Sequence, residues 1–321
     1  MTNTMHPLVT IAIPTYNRAR TYLRQALESA VRQTYKNIEI IVANNCSTDD
    51  TEMVVNDFND RRIKYFRHNE NIGSNNNQNF CLEQANGLFS LLLYDDDLID
   101  NDFVEVCIDA MNGNHSIGLV VTGAREIDAE GNITSQCPNP GKELSTGEFF
   151  LNWFAGKIPL YSCNVLMNTK SLREIGGLRS KTNTYEDVVA DAQLMGKYGR
   201  VDVYDVKASF RRHGDHWGSS LSISDWWEDS LYLLDIICNL ASERKTFIRS
   251  EGMKYFSKKS CHRSYMRAAR IKSPLSRFLT YLSVYKTFNY QYLPPPLERI
   301  KSIIYSNNFL FSWLRSLRRR L

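Results

Sequence analysis

The chain has 321 residues, 43% apolar and 23% charged, an ordinary balance for a folded globular protein with room for one large domain and an appendage, or for two domains. The formal charge of +4 hides a divide: residues 244–321 carry 18 Lys and Arg against two acids, which leaves 21 against 33 for residues 1–243. Seven scattered cysteines without a Cys-x-x-Cys pair argue against a disulfide framework or zinc site, and no apolar run approaches the roughly 20 residues of a membrane span, so a cytoplasmic protein is expected.

Residues 9–13 form a β-rich run stopped by Pro14, and Thr15-Tyr16-Asn17-Arg18 follow as a polar loop. Residues 22–33 show the 3.6 period of an amphipathic helix, with Leu23, Ala26, Leu27, Ala30 and Val31 on one side. Residues 38–43 read as a second strand. The loop that follows, residues 44–51, leads into a helix through Phe58 with Ser47 or Thr48 as its N-cap. A third strand is expected at 63–66, then an asparagine-rich stretch with Gly73, then a helix over about 78–85. The apolar run Leu91-Leu92-Leu93-Tyr94 ends in Asp95-Asp96-Asp97 and reads as a fourth strand. This repetition of strand, loop and helix is the βαβ pattern of a mostly parallel sheet covered by helices.

Beyond Gly113 the pattern changes. Strands are expected at 117–122, 164–167 and 201–206, a hairpin turn at 128–132, and helices at 145–154, 170–175 and from a Thr184 cap to about Tyr198. After Asp225 the chain becomes helical, aromatic and basic, broken by Pro294-Pro295-Pro296. These changes divide the chain into a larger domain over 1–224, with halves at about 8–112 and 113–224, and a helical basic extension over 225–321.

Ligands of open α/β sheets bind outside the carboxyl ends of the strands. Three acids placed there repel one another unless a cation or solvent relieves them, and hard divalent ions take carboxylate oxygens while leaving positions for phosphate. The same acids could instead lie in a loop that caps the next helix from Asp100 or Asn101. The loops at 14–18 and 44–50 would converge on the same sheet edge, where Tyr16 offers a flat face to a nucleobase and the Asn44 amide can bond a base edge.

These motifs resemble the family 2, GT-A type, inverting glycosyltransferases. The resemblance spans about residues 8–220 and rests on Ile13-Pro14-Thr15-Tyr16-Asn17-Arg18, the segment from Asn44-Asn45 to Thr51, Asn71-x-Gly73-x-x-x-Asn77, Ala85-x-Gly87 and Asp95-Asp96-Asp97. It implies a GT-A (Rossmann-like) fold and a nucleotide-sugar site formed by Pro14, Thr15, Tyr16, Asn17, Arg18, Asn44, Asn45, Gly73, Asn77, Asp95 and Asp96. It also implies a divalent cation, Mn²⁺ or Mg²⁺, held by Asp95, Asp96 or Asp97. Two departures are visible: the family usually has Asp where this chain has Asn44, and many members read Asp-Ser-Asp-Asp where this chain reads Tyr94-Asp95-Asp96-Asp97.

An inverting transfer needs a base to take the acceptor hydroxyl's proton. Helical spacing places Asp187 and Asp191 on one face, and the resemblance implies an acid at Asp191, so Asp191 is the first candidate, followed by Asp187 and Glu186. Glu186 and Asp187 could alternatively serve the helix dipole. Arg212 and His213, in Arg211-Arg212-His213, resemble the family's Arg-x-His ending and could neutralise a leaving diphosphate; His213 could also ligate the metal. Trp153, Tyr161 and Trp217 could stack on sugars, and Asn164 is an acceptor-side candidate.

The expected donor is a UDP-hexose or a dTDP-sugar. The expected acceptor is a glycan or lipid-linked saccharide of the cell envelope, and no nucleic-acid motif is present. The aromatic and arginine-rich residues 309–321 suit an interfacial helix on an anionic membrane surface, or a helix packed on the catalytic domain. A sugar nucleotidyltransferase would call for a glycine-rich basic loop after the first strand, which residues 14–17 do not supply. A non-catalytic binding protein on the same scaffold would not need both acidic sites.

Overall fold

The computed structural model describes residues 6–213 and 222–268, with isolated positions up to 279; of residues 265–268 only the backbone path is described. Trp217, the triple proline and residues 309–321 lie outside the described residues.

The first half alternates as its hydrophobic pattern dictates: β1 (Val9–Thr15), α1 (Leu23–Val31), β2 (Ile38–Asn44), α2 (Thr51–Asn56), β3 (Ile63–Arg67), α3 (Ser74–Gln84) and β4 (Phe89–Leu92). All of β1, β2 and β4 is buried, so these strands are covered on both faces, with only a few polar residues such as Thr10 and Glu39 among the apolar ones. Pairing is parallel throughout this half, in the order β3-β2-β1-β4, and Thr15 lies opposite Asn44 at the shared carboxyl edge.

A two-residue strand, β5 (Leu98–Ile99), separates the acids from α4 (Phe103–Ala110), whose N-cap is Asp102. Asp95, Asp96 and Asp97 therefore cap no helix, and neither Asp100 nor Asn101 is the cap residue. The remaining elements are β6 (Leu119–Ile127), β7 (Ile133–Cys137), α5 (Thr146–Phe154), β8 (Val165–Asn168), α6 (Thr169–Glu174), α7 (Glu186–Tyr198), β9 (Arg200–Arg211), α8 (Ile223–Leu240) and α9 (Lys245–Ala268). β8 joins β4 and β6 antiparallel, and β9 runs parallel beside β6 and ends against β5. The result, among the described residues, is one mixed sheet of nine strands flanked by helices, with a helical C-terminal region.

Val9, Ile11 and Ile13 of β1 pack with α1 and α4 on one side, while Ala12 faces α3 and the cluster on the other. That second cluster includes Leu233, Leu234 and Ile237 of α8 and Ile248 and Phe256 of α9. The described part of the C-terminal region thus shares a core with α5 and α7 instead of standing apart from them. Gly87 explains the Ala85-x-Gly87 motif: a Cβ there would lie 2.5 Å from the Thr10 backbone nitrogen, so only glycine lets β4 enter beside β1. All seven cysteines are free, and no helix among the described residues is long and apolar enough to cross a membrane.

Candidate active site

The ends of β1, β2 and β4 meet as their parallel pairing requires, and short polar side chains tie their loops together. Asn17, with φ at +54°, donates its backbone N–H to Ser47 Oγ at 2.9 Å and accepts from the Thr48 N–H at 2.8 Å. Asparagine tolerates this left-handed conformation better than most residues. Asp49 Oδ2 receives the Ala19 N–H at 2.9 Å. Tyr16 is 45% exposed, with its ring open to a partner, while Pro14 is buried within β1. Thr15 has its hydroxyl beside Asp95 but outside hydrogen-bond geometry.

Asn44 has a task other than the one expected. Its side chain is 1% exposed; Nδ2 donates to Tyr65 Oη and Oδ1 accepts from the Ser47 N–H, both at 2.7 Å. It shapes the loop and presents no free edge to a base. Asn45 similarly donates to Asn71 Oδ1 and accepts from the Ile72 N–H, each at 2.9 Å. Asn77 donates to the Ala43 carbonyl at 2.8 Å and meets His68 Nε2 at 3.0 Å. Gly73, with φ at +85°, opens α3, and its N–H is bonded to Asn71 Oδ1. The asparagine-rich motif is a scaffold for the two loops.

The three acids point to different surroundings. Asp95 Oδ2 accepts the Tyr16 N–H at 3.3 Å; burial and the neighbouring Asp96 push its carboxyl up to about 7, against the pull of Arg18. Asp96 is part-exposed, and its Oδ2 lies 2.8 Å from His213 Nε2. Asp97 turns inward, where its Oδ1 accepts the Arg211 N–H at 2.8 Å and its Oδ2 is buried without a hydrogen-bond partner among the described residues. Burial and Asp96 raise the Asp97 carboxyl well above its ordinary range.

Arg211 and Arg212 also divide their work. Arg211 is fully buried and spends its guanidinium on the Asp96, Asp128 and Ala129 carbonyls and on Gln25 Oε1, so it clamps the acidic loop. Arg212 pairs with both oxygens of Glu126, Nε to Oε2 at 2.8 Å.

Asp95, Asp96 and His213 suit a divalent cation in kind: two hard carboxylate donors, one imidazole, and more negative charge than the buried site carries unaided. Among the described residues no three His, Cys, Asp or Glu side chains form a ready cluster. A Mg²⁺-like ion commonly takes only one or two carboxylates and completes its shell with phosphate and water.

Beside the acids an open cleft of about 490 Å³ is lined by Tyr94, Glu126, Tyr161, Ser162, Asp187 and Arg212 on the sheet side. Trp226 of α8 and Tyr255, Lys259 and Arg263 of α9 line the other. Ser162 Oγ donates to Asp187 Oδ2 at 2.8 Å, and Val188 N–H donates to Oδ1 at 2.8 Å. Burial raises the Asp187 carboxyl despite these bonds. Glu186 is buried behind it, raised to about 8 by burial and by Asp187.

Asp191, the first candidate base from sequence, lies one turn deeper. It is 3% exposed, is absent from the cleft wall, and burial and Asp187 raise its carboxyl strongly. Of the two, Asp187 and not Asp191 lines the cleft.

Asn164 is wholly buried, holding the Thr122 carbonyl and the Tyr161 N–H, and so has no acceptor-side edge. Tyr161 stacks on Phe210 at 4.3 Å, and Trp153 sits at the cleft among core aromatics.

The loop before α7 is pinned by Asp229 of α8, fully buried, which accepts from Ser180 Oγ, Thr182 N–H, Tyr185 N–H, and both the hydroxyl and N–H of Thr184. Thr184 is thus a donor to α8 rather than the cap of α7. Burial would raise Asp229, but these bonds outweigh it and hold the carboxyl below its ordinary value.

A model of glycosyl transferase family 2 matches residues 10–176. The chain belongs to this family. Its relatives include a GalNAc(5)-diNAcBac-PP-undecaprenol beta-1,3-glucosyltransferase of Campylobacter jejuni, 32% identical over 53% of this chain and 57% of that protein. Chondroitin synthase of Escherichia coli is 35% identical over 40% of this chain and 19% of that protein. An uncharacterised glycosyltransferase of Rickettsia bellii is 34% identical over 54% of this chain and 25% of that protein. The family 2 chain described here therefore spans between a quarter and about three fifths of the first curated relatives it matches. In fold it is similar to Staphylococcus aureus TarS bound to UDP-GlcNAc, with a TM-score of 0.58, 15% identity, and 88% and 91% of the two chains covered. It also resembles the mannosyltransferase PcManGT from Pyrobaculum calidifontis in complex with GDP-Man and Mn²⁺, with a TM-score of 0.53, 16% identity, and 96% and 83% covered.

Proposed function

We propose that this family 2 member is an inverting glycosyltransferase that moves a sugar from a nucleotide-sugar donor, a UDP-hexose ahead of a dTDP-sugar, to a hydroxyl of a glycan or lipid-linked saccharide. The carrying observation is the placement of two acidic sites side by side: Asp95 and Asp96 at the carboxyl edge of the parallel strands, and Asp187 on the wall of the adjoining cleft. A single displacement needs such a pair, one to manage the leaving diphosphate and one to deprotonate the incoming hydroxyl.

In this reading the nucleobase lies against Tyr16, and Asp95, Asp96 and His213 hold Mn²⁺ or Mg²⁺. The cation, when bound, supplies positive charge to the departing diphosphate. Asp187 takes the acceptor proton on Oδ2 or Oδ1, oriented by Ser162 and the start of α7. Its proton affinity, raised by burial, suits a general base. Arg211 keeps the acidic loop in register with β9 and does not touch the donor.

The PP-undecaprenol-linked acceptor in the Campylobacter relative's name and the Mn²⁺ in the Pyrobaculum structure support the acceptor class and the cation. The basic residues 309–321 support attachment to an anionic membrane surface on the cytoplasmic side, which flotation with anionic liposomes would test by comparing the chain with and without them. Residues 14–17 supply no glycine-rich basic loop, so a nucleotidyltransferase has no feature to carry it.

The deciding experiment is calorimetric titration of nucleotide sugars with and without Mn²⁺, followed by a product-release assay. Mn²⁺-dependent donor binding and release of nucleoside diphosphate are expected. Binding that ignores the cation would overturn the metal role, and a chain that binds no nucleotide sugar would overturn the function.

A further inference from the structure

We infer that the cleft is built for an acceptor bearing an anionic group, a phosphate or a carboxylate, seated on Lys259 and Arg263 of α9. The inference rests on the glycosyltransferase reading only in calling this molecule the acceptor. Tyr255, Lys259 and Arg263 recur every four residues, so α9 turns one stripe of side chains toward the cleft.

Charge on the cleft wall is unbalanced. Glu126 and Asp187 are its only carboxylates among the described lining residues. Both oxygens of Glu126 are taken by Arg212, and Tyr161 Oη adds a third bond at 2.7 Å. Asp187 is occupied by Ser162 and the Val188 N–H. Among the described residues no acid pairs with Lys259 or Arg263.

The Arg263 guanidinium carbon lies 3.5 Å from the Trp226 ring centroid, which fixes its plane against α8. Its Nη1 is buried without a hydrogen-bond partner among the described residues. A guanidinium held by its face with an unsatisfied edge matches the flat fork that phosphate and carboxylate oxygens fill.

Lys259 places its ammonium 5.0 Å from the Tyr255 ring, accessible to water yet flanked by protein. Partial desolvation against the protein, together with Arg263 and Arg212, lowers its proton affinity to about 8 against the pull of Glu126. Clustered cations of this kind cost free energy that an anion between them returns.

The donor does not account for the seat. Tyr16, Asn44 and Asp95 are absent from the cleft wall, whereas Asp187 is on it. An anion on Lys259 and Arg263 would therefore belong to the molecule that offers its hydroxyl to Asp187.

The test titrates inorganic phosphate, methyl glucuronide and neutral methyl glucoside into the full chain in EDTA, for wild type and for Lys259→Gln/Arg263→Gln. One anion should outbind methyl glucoside, and the double variant should weaken it by about tenfold or more, with UDP–Mn²⁺ affinity, titrated separately without EDTA, held within about twofold. A phosphate preference would point to a phosphate-bearing acceptor, and a glucuronide preference to a uronic acid. The proposal falls if neither anion outbinds the glucoside, if the double variant binds the anion as before, or if it loses UDP in step. Should the double variant lose its helical circular dichroism, Lys259→Gln alone, at a water-accessible position, is judged by the same outcomes. Failure of wild type to bind either UDP or dTDP with Mn²⁺ would instead remove the glycosyltransferase reading and leave the anion seat standing.

Discussion

The proposed donor side is assembled from loops following β1, β2 and β4, neighbours both in sequence and in the sheet, whereas the proposed acceptor cleft draws on β6, the 162–164 turn, α7, β9 and two helices of the C-terminal region. The first is held by asparagine and serine bonds to nearby backbone; the second depends on packing between distant segments and on one buried carboxylate, Asp229. A site of the first kind should tolerate the loss of single side chains in the cleft. A site of the second kind should fail as a unit.

The largest expected effect separates the sides through the base. Asp187→Asn should lower transfer by about 10²–10⁴-fold with UDP binding unchanged, as loss of a general base does. Asp191→Asn, one turn behind the cleft wall, should cost far less in rate. Equal losses in steady-state assays would restore Asp191 as the base and undo the distinction drawn from α7.

Next is Asp229→Ala, which leaves a cluster of buried donors around residues 180–185 without their acceptor. Each orphaned donor costs about 1–3 kcal/mol, so a loss of roughly 3 kcal/mol or more is expected in denaturant unfolding. Transfer should drop while UDP affinity holds. Parallel loss of UDP would mean that the two sides are mechanically one.

This contrast also governs what was legible in the sequence. The βαβ succession and the meeting of residues 14–18, 44–50 and 95–97 follow from strand periodicity, because strand ends lie close along the chain and parallel pairing fixes their side. The depth of Asp191 does not follow, since helical spacing puts Asp187 and Asp191 on one face without saying which meets solvent. Arg211 and Arg212 are adjacent and chemically alike; only the path of β9 buries one and opens the other. Lys259 and Arg263 lie in a stretch whose sequence reads only as a helical basic extension, and it is the packing of α9 on α5 and α8 that brings them to the cleft.

Asn44→Asp sharpens the donor side. Tyr65 Oη can reverse its hydrogen bond and donate to a carboxylate, and Ser47 N–H can still donate, so the loop should persist. UDP affinity within about threefold of wild type is expected, whereas Asn44→Leu, which removes both bonds from a buried position, should destabilise the loop by about 1–3 kcal/mol. A large gain in UDP affinity for Asn44→Asp would show that the side chain reaches the base after all.

The smallest effect is a slope against pH. Burial and the neighbouring Asp187 raise Glu186 from 4.5 in an open chain to about 8 in the fold. A raised carboxyl contributes stability that is fully present below the unfolded value and is lost as pH climbs through the folded one. Wild type should therefore lose stability between about pH 4.5 and 8, by up to about 1.4 kcal/mol per pH unit from this group. Glu186→Gln cannot ionise and should lack that part of the slope, so the difference in unfolding free energy should move in the variant's favour as pH rises. Because Glu186 is behind the cleft wall, the change should appear in stability before it appears in UDP binding. A difference that stays flat from pH 5 to 8 would mean that Glu186 ionises at its ordinary value, and that the acceptor-side acids are less enclosed than their burial implies.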